Sequence, residues 1–118
     1  MKNYQPGSHI IATLESGSNS KLESYHPFKD FIESLVQLHQ LQTLGTVYHN
    51  FNPGGFTAVL CLSESHISIH TWPEYNKVNL DIYLSNYLKE NDGTVDTIFE
   101  AMKTFFDASV IQQHKLIR

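Results

Sequence analysis

The sequence has few of the features that mark nucleic-acid-binding, membrane-spanning or disulfide-stabilised proteins. It has 8 Lys and Arg against 12 Asp and Glu, a formal net charge of −4, and no basic cluster. This balance argues against a nucleic acid as the main partner. No run of about 18 apolar residues occurs, so no membrane-spanning helix is expected. The single cysteine, Cys61, excludes a disulfide within the chain.

Length and composition fit one small domain. The 118 residues are 41% hydrophobic, which is enough for one core. Residues 1–118 are therefore expected to form a single domain. Residues 1–6, MKNYQP, lack the apolar stretch of a signal peptide. We therefore expect a cytoplasmic protein.

Apolar periodicity predicts six strands and two helices. The strands are predicted at residues 8–14, 46–51, 56–62, 66–71, 77–84 and 108–111, with an extension of the last to 117 left open. The helices are predicted at residues 27–42, with Gly45 near the end, and at 95–106, with Thr94 as the N-cap. The order β-α-β-β-β-β-α-β with short turns predicts mainly antiparallel pairing. Two amphipathic helices on one sheet face give a two-layer α+β sandwich.

Alternation in the fourth and fifth strands predicts one apolar and one polar sheet face. Ile67 and Ile69 should lie under the helices. The opposite face should then meet either water or a partner chain. It would carry His66, Ser68, His70, Asn79, Asp81, Tyr83 and Ser85.

Three kinds of chemistry could use this polar face, and a simply solvated face is the alternative to all of them. His66 and His70 lie about 13 Å apart on a regular strand, so they cannot bind one ion and no metal is expected. A triad of Ser65, His70 and Asp81 lacks the G-x-S-x-G nucleophile motif. Backbone self-cleavage would use a serine after a tight turn, with a strained peptide, an oxyanion donor and a nearby acid or base. The residues alone leave these alternatives open.

Residues 63–75, SESHISIHTWPEY, and 81–84, DIYL, resemble the signature of the short prokaryotic S-adenosylmethionine decarboxylases. The similarity is dense over residues 51–85 and extends weakly to residues 7–10, GSHI. The resemblance implies a proenzyme that cleaves itself between Glu64 and Ser65 and converts Ser65 into a pyruvoyl cofactor. The pyruvoyl group would form a Schiff base with the substrate amine and accept electrons as carbon dioxide leaves. The family product is the aminopropyl donor for spermidine synthesis.

The resemblance also implies roles for individual residues. His70 matches the histidine that assists the elimination step of processing, and Thr57 stands where the family has a serine that promotes the same process. Phe51 matches a phenylalanine that stacks on adenine. Glu74 matches a glutamate that accepts hydrogen bonds from the ribose hydroxyls. The family usually forms a homodimer with sites near the interface, which the polar sheet face would fit.

Ser85 departs from the family pattern, because the family has a cysteine there that reprotonates the substrate carbon. A thiol titrates near pH 8.5 and a serine hydroxyl is a far weaker acid. The expected loss is the contribution of a general acid, about 10²–10⁴ in rate. The alternatives are decarboxylation of arginine or ornithine, and an unprocessed, non-catalytic regulatory paralogue.

The remaining polar and aromatic residues of the motif receive structural interpretations. Ser85 is expected to point into the region of His70, because it shares a strand face with Asp81. Trp72 is expected to pack, His66 to bond to backbone and Asp81 to be a strand-face charge. No role is predicted for His9.

Overall fold

A computed structural model describes residues 4–118, which form six strands and two α-helices. The elements are β1 (Ser8–Ser16), α1 (Tyr25–Leu38), β2 (Thr43–Asn50), β3 (Phe56–Leu62), β4 (Ser65–Trp72), β5 (Lys77–Leu84), α2 (Asp92–Phe105) and β6 (Ala108–Ile117). Short 3-10 helices lie at Asn19–Leu22 and Pro73–Tyr75. Residues 1–3, which belong to the segment expected to lack a signal peptide, lie outside the described residues.

The strands form one antiparallel sheet in the order β2-β3-β4-β5-β1-β6. The element order and the antiparallel pairing predicted from the sequence are confirmed. β1 lies between β5 and β6, so the first strand separates two strands that come late in the chain. This insertion brings residues of β1 beside residues of β5, a proximity that the element order alone does not reveal.

Both helices pack on the same sheet face, so the α+β sandwich has two layers. Their apolar stripes join the alternate strand residues in one buried cluster. The ring of Phe28 in α1 stacks on Phe106, just after α2, with centroids 6.1 Å apart, and lies 5.6 Å from Phe56 in β3. Burial of a side chain of this size contributes about 1.5–3 kcal/mol, so these contacts tie both helices to the sheet.

Helix α1 begins two residues before the predicted start and ends four residues before the predicted end. Ser24 is the N-cap, and its side chain accepts a hydrogen bond from the His26 N–H. Gln40 has a φ of 57° and ends the helix. The Gln40 N–H bonds to the Gln37 carbonyl at 3.0 Å, and the Leu41 N–H bonds to the Val36 carbonyl at 3.0 Å. These two bonds form a Schellman motif in which glutamine occupies the usual glycine position.

The N-cap of α2 is Asn91, and the prediction of Thr94 is wrong. Asn91 makes no side-chain bond to the helix. Its amide nitrogen instead donates to the Glu64 carboxylate and, at 2.9 Å, to the Ser85 carbonyl. The cap residue therefore connects the start of α2 to the turn before β4.

Strand boundaries differ from the predictions mainly by extension. β1 runs two residues further, to Ser16, and β6 continues to Ile117. β2 begins at Thr43 rather than residue 46, because a bulge near Gly45 keeps it paired with β3.

The sheet side opposite the helices, here called the open face, is polar along β4 and β5. Burial alternates along both strands, and Ile67 and Ile69 are fully buried under the helices as predicted. The open face also carries the exposed apolar residues Ile11 and Val59. In the part of the chain that the structure describes, no helix is long and apolar enough to cross a membrane.

Candidate active site

Ser65 has a strained backbone at the junction between a tight turn and β4. Its φ is 120°, a region that favours glycine. Ser65 pairs with Leu62 on one side and Leu84 on the other, so two neighbouring strands hold this conformation in place. A non-glycine residue in such a region costs on the order of 1–3 kcal/mol. The peptide before Ser65 therefore lies in a strained part of the backbone.

The carbonyl of Glu64, the residue before Ser65, is held by a backbone donor. The Ser85 N–H donates to the Glu64 carbonyl oxygen at 2.7 Å. Glu64 as a whole is only 5% exposed, and its carboxylate accepts a hydrogen bond from Asn91. The carbonyl thus has a hydrogen-bond donor in position for the negative charge that a nucleophilic attack would create on its oxygen.

Ser65 opens onto a depression of about 810 Å³, here called the Ser65 cavity. Most of its walls come from the open face. Besides Ser65, the cavity is lined by Tyr4, Val59, Cys61, His66, Tyr83 and Arg118. Hydrogen bonding to Tyr83 raises the pKa of the Tyr4 hydroxyl. The single cysteine of the chain and one histidine therefore border the cavity onto which Ser65 opens.

His70 and Thr57 form a second polar pair, on β4 and β3. They are register partners, and Thr57 Oγ1 lies 2.8 Å from His70 Nδ1. Both residues line a separate cavity of about 460 Å³, here called the His70 cavity, together with Phe51, Trp72 and Glu74. Phe51 is 52% exposed, so it is not a core residue. This cavity combines exposed aromatic rings, a carboxylate and the histidine.

The predicted site residues fall into two groups at opposite ends of β4. Glu64, Ser65 and Ser85 lie together at the first end, whereas His70 pairs with Asn79 near the other. Five residue steps along a strand place Ser65 and His70 about 16 Å apart. Within one chain, the expectation that Ser85 points into the region of His70 is therefore wrong. Antiparallel pairing places the end of β5 beside the start of β4.

A hydrogen-bonded chain of charged and polar side chains crosses the open face next to the Ser65 cavity. It consists of His9, Asp81, His66 and Arg118 and is here called the Asp81 cluster. Asp81 Oδ1 lies 2.6 Å from His9 Nε2 and 3.1 Å from His66 Nε2. Arg118 NH1 lies 3.2 Å from His9 Nδ1. Because arginine can only donate, His9 accepts at Nδ1 and donates its Nε2–H to Asp81.

The Asp81 cluster has ligand types that could bind a metal, but its hydrogen bonds argue against that use. The ligand atoms of His9, His66 and Asp81 lie within 4.8 Å of one another. Two ligands of a tetrahedral zinc ion lie about 3.3 Å apart, which is longer than the His9–Asp81 contact of 2.6 Å. The Nε2 atom of His9 also carries the proton that it donates to Asp81, so it has no free lone pair for an ion.

Sequence reasoning missed two features of this region. Trp72 is 46% exposed and borders the His70 cavity, with its Nε1–H bonded to Asn79 Oδ1 at 2.8 Å. His9 is nearly buried against Asp81. Alternation along β1 places His9 on the polar side of that strand. The sequence does not reveal that Asp81 is its partner, because β1 and β5 are far apart in sequence.

Comparisons with known proteins agree with this geometry. The family model described as S-adenosylmethionine decarboxylase matches residues 8–118. The chain belongs to the S-adenosylmethionine decarboxylase family. A protein of Archaeoglobus fulgidus named S-adenosylmethionine decarboxylase proenzyme is 37% identical over 101 residues, which cover 86% of this chain and 84% of the relative. A protein of Hydrogenobaculum sp. with the same name is 30% identical over 115 residues, 92% of this chain and 86% of the relative.

A solved structure supports the same assignment. The crystal structure of the adenosylmethionine decarboxylase from Aquifex aeolicus matches with a TM-score of 0.79 and 26% sequence identity. The match covers 98% of this chain and 91% of that one. The predictions of the S-adenosylmethionine decarboxylase family, of its lyase class and of the α+β fold are therefore confirmed.

Proposed function

We propose that this chain is a self-processing S-adenosylmethionine decarboxylase that cleaves itself between Glu64 and Ser65 and carries a pyruvoyl group made from Ser65. The observation that supports this most directly is the strained Ser65 backbone beside a Glu64 carbonyl that already accepts the Ser85 N–H at 2.7 Å. Strain and a preorganised donor are what a backbone acyl shift requires. The residues around Ser65 therefore fit the formation of such a group.

Cleavage would begin with attack of the Ser65 hydroxyl oxygen on the Glu64 carbonyl carbon. The amide C–N bond breaks, an ester forms, and the Ser65 nitrogen takes the proton from the hydroxyl. The Ser85 N–H stabilises the charge on the carbonyl oxygen during this step. Loss of the Ser65 α-proton then expels the Glu64 carboxylate, and water releases the nitrogen as ammonia. His70, with Thr57 bonded to its Nδ1, is the proposed base for the α-proton.

The distance between Ser65 and His70 supports a homodimer in which each site uses two chains. A two-fold axis near the middle of β4, with open faces packed together, would place Ser65 of one protomer near His70 of the partner subunit. Exposed apolar residues on that face, including Ile11, Val47 and Val59, favour such packing. The Ser65 cavity of one chain would then face the His70 cavity of the other, and a cytoplasmic dimer would hold two sites.

Substrate would bind mainly in the His70 cavity. The exposed Phe51 ring suits stacking on adenine, and the Glu74 carboxylate suits the ribose hydroxyls. A pyruvoyl group supplies a carbonyl that bonds to the substrate amine and accepts the electron pair released with carbon dioxide. The product would be the aminopropyl donor for spermidine synthesis.

Intact mass and a denaturing gel test the proposal. Wild-type protein should separate into residues 1–64 and 65–118, and hydroxylamine should accelerate the cleavage by trapping the ester. Ser65→Ala is the control and should stay whole. A wild-type chain that stays whole with and without hydroxylamine would favour the regulatory paralogue. A chain that cleaves but acts only on arginine or ornithine would favour the amino-acid alternative.

A further inference from the structure

We propose that His66, oriented by Asp81, is the general acid that returns a proton to the substrate carbon after carbon dioxide has left. The inference rests on the proposed function and adds a catalytic residue to it. It addresses the step for which Ser85 is a poor donor, because a serine hydroxyl is far less acidic than a thiol.

His66 is the member of the Asp81 cluster closest to the reaction. It follows Ser65 in the chain and lines the same cavity. Its side chain is 41% exposed, whereas that of His9 is 6% exposed. Among residues 4–118, His66 makes its only side-chain hydrogen bond through Nε2, to Asp81. Its Nδ1 is therefore available to a molecule bound in the Ser65 cavity.

The hydrogen bonds of the cluster define how His66 can carry a proton. A carboxylate only accepts, so His66 donates its Nε2–H to Asp81. Protonation of Nδ1 then creates an imidazolium whose charge is balanced by Asp81 at 3.1 Å. An imidazole side chain can both give up and regain a proton near neutral pH, which suits a general acid.

The proposed proton transfer balances atoms and charge. The bond between the substrate carbon and its carboxylate breaks, carbon dioxide leaves, and the electron pair stays on the substrate side. That pair takes the proton from His66 Nδ1, which forms the new C–H bond. His66 becomes a neutral imidazole and regains a proton from water. If the proton went to the carbon of residue 65 instead, hydrolysis by water would leave an alanine at the start of the 65–118 fragment and inactivate the enzyme.

Other ionisable groups face His66 from every neighbouring strand. Cys61 is its register partner on β3, and Tyr83 on β5 has its ring centroid 6.0 Å away. Beyond Asp81, His9 on β1 donates a hydrogen bond to that carboxylate, and the positive charge of Arg118 lies on the far side of His9. Cys61 is the competing proton donor, since it lines the same cavity. The experiment must therefore separate the imidazole from the thiol.

His66→Gln and Cys61→Ser proteins, each verified by mass to have cleaved, distinguish the imidazole from the thiol as the proton donor. His66→Gln should decarboxylate S-adenosylmethionine at least about 10²-fold more slowly, the low end for a general acid. It should also accumulate 65–118 fragments that begin with alanine, read by mass spectrometry. Cys61→Ser should show neither the loss of rate of about 10²-fold nor the fragments that begin with alanine. Loss of activity in Cys61→Ser instead, or full activity in His66→Gln, overturns the proposal.

Asp81→Asn tests the positioning role without removing the donor. Removal of the carboxylate disfavours the imidazolium, so the fall in decarboxylation rate with rising pH should begin at lower pH. An NMR titration of His66 in uncleaved Ser65→Ala protein should show the same downward pKa shift when Asp81→Asn is added. This readout does not depend on processing, so it distinguishes failure of the inference from failure of the proposed function. If neither the titration of His66 nor the pH profile changes, the proposal for His66 and Asp81 is overturned.

Discussion

At the scale of single residues, the proposed cleavage uses the backbone of Ser85 and not its side chain. The N–H that holds the Glu64 carbonyl belongs to the peptide between Leu84 and Ser85. Every residue except proline provides this donor. A serine in place of the cysteine that the resemblance implies would therefore leave the proposed oxyanion donor intact and would affect only the proposed later delivery of a proton.

Gly7 controls the position of that peptide. A Cβ at Gly7 would overlap the Leu84 carbonyl oxygen and lie 3.1 Å from Ser85 Cα. We expect Gly7→Ala to displace the Ser85 N–H, to slow cleavage by up to about 10²-fold and to destabilise the fold by about 1–3 kcal/mol. Gly45→Ala is the matched control, because its Cβ would meet open space. Gel time courses and denaturant unfolding measure both effects; equal cleavage rates in the two variants would contradict the expectation.

At the scale of elements, the end of α1 shows how local geometry overrides a sequence pattern. Apolar spacing continued past residue 38, yet the left-handed Gln40 ends the helix and lets Leu41 turn into the core. The apolar residue at position 41 belongs to the Schellman motif rather than to the helix stripe. The pattern could predict the helix but not the residue at which it stops.

Gln40→Gly should stabilise the protein by about 0.5–1 kcal/mol. A left-handed conformation costs a non-glycine residue roughly 1–2 kcal/mol, part of which is offset by the greater chain entropy of glycine when unfolded. Gln37→Gly, at an exposed position inside α1, should destabilise by a similar amount. Urea unfolding of the two variants measures these opposite signs, and a loss of stability in Gln40→Gly would show that the motif tolerates glutamine without strain.

At the scale of the whole molecule, the two separated groups on β4 predict complementation between chains. His70→Ala and Ser65→Ala proteins should each stay uncleaved alone. In a mixed dimer, the His70→Ala chain retains Ser65 and receives His70 from the partner subunit, so it should be cleaved. Coexpression with two different tags and a denaturing gel measures which chain is cut. No cleavage in verified mixed dimers would mean that His70 acts within its own chain or that its loss prevents folding, which circular dichroism distinguishes.

The α+β class, the two sheet faces and the residues of the family motif could all be predicted from the sequence. Alternation of side chains along β4 and β5 is a local property of an extended backbone, so the faces could be assigned without a structure. The motif likewise identified Ser65, His70, Phe51 and Glu74 as candidates. Their arrangement in space could not be read from the same pattern.

Which of these residues meet depends on strand order and register, which the sequence pattern does not reveal. The antiparallel register of β4 and β5 puts Ser85 at the Glu64 carbonyl rather than near His70. The insertion of β1 between β5 and β6 brings His9 and Arg118 to Asp81, and so orients His66 beside Ser65. Strand order and register arise from backbone hydrogen bonds between segments far apart in sequence, whereas alternation depends only on neighbours along the chain.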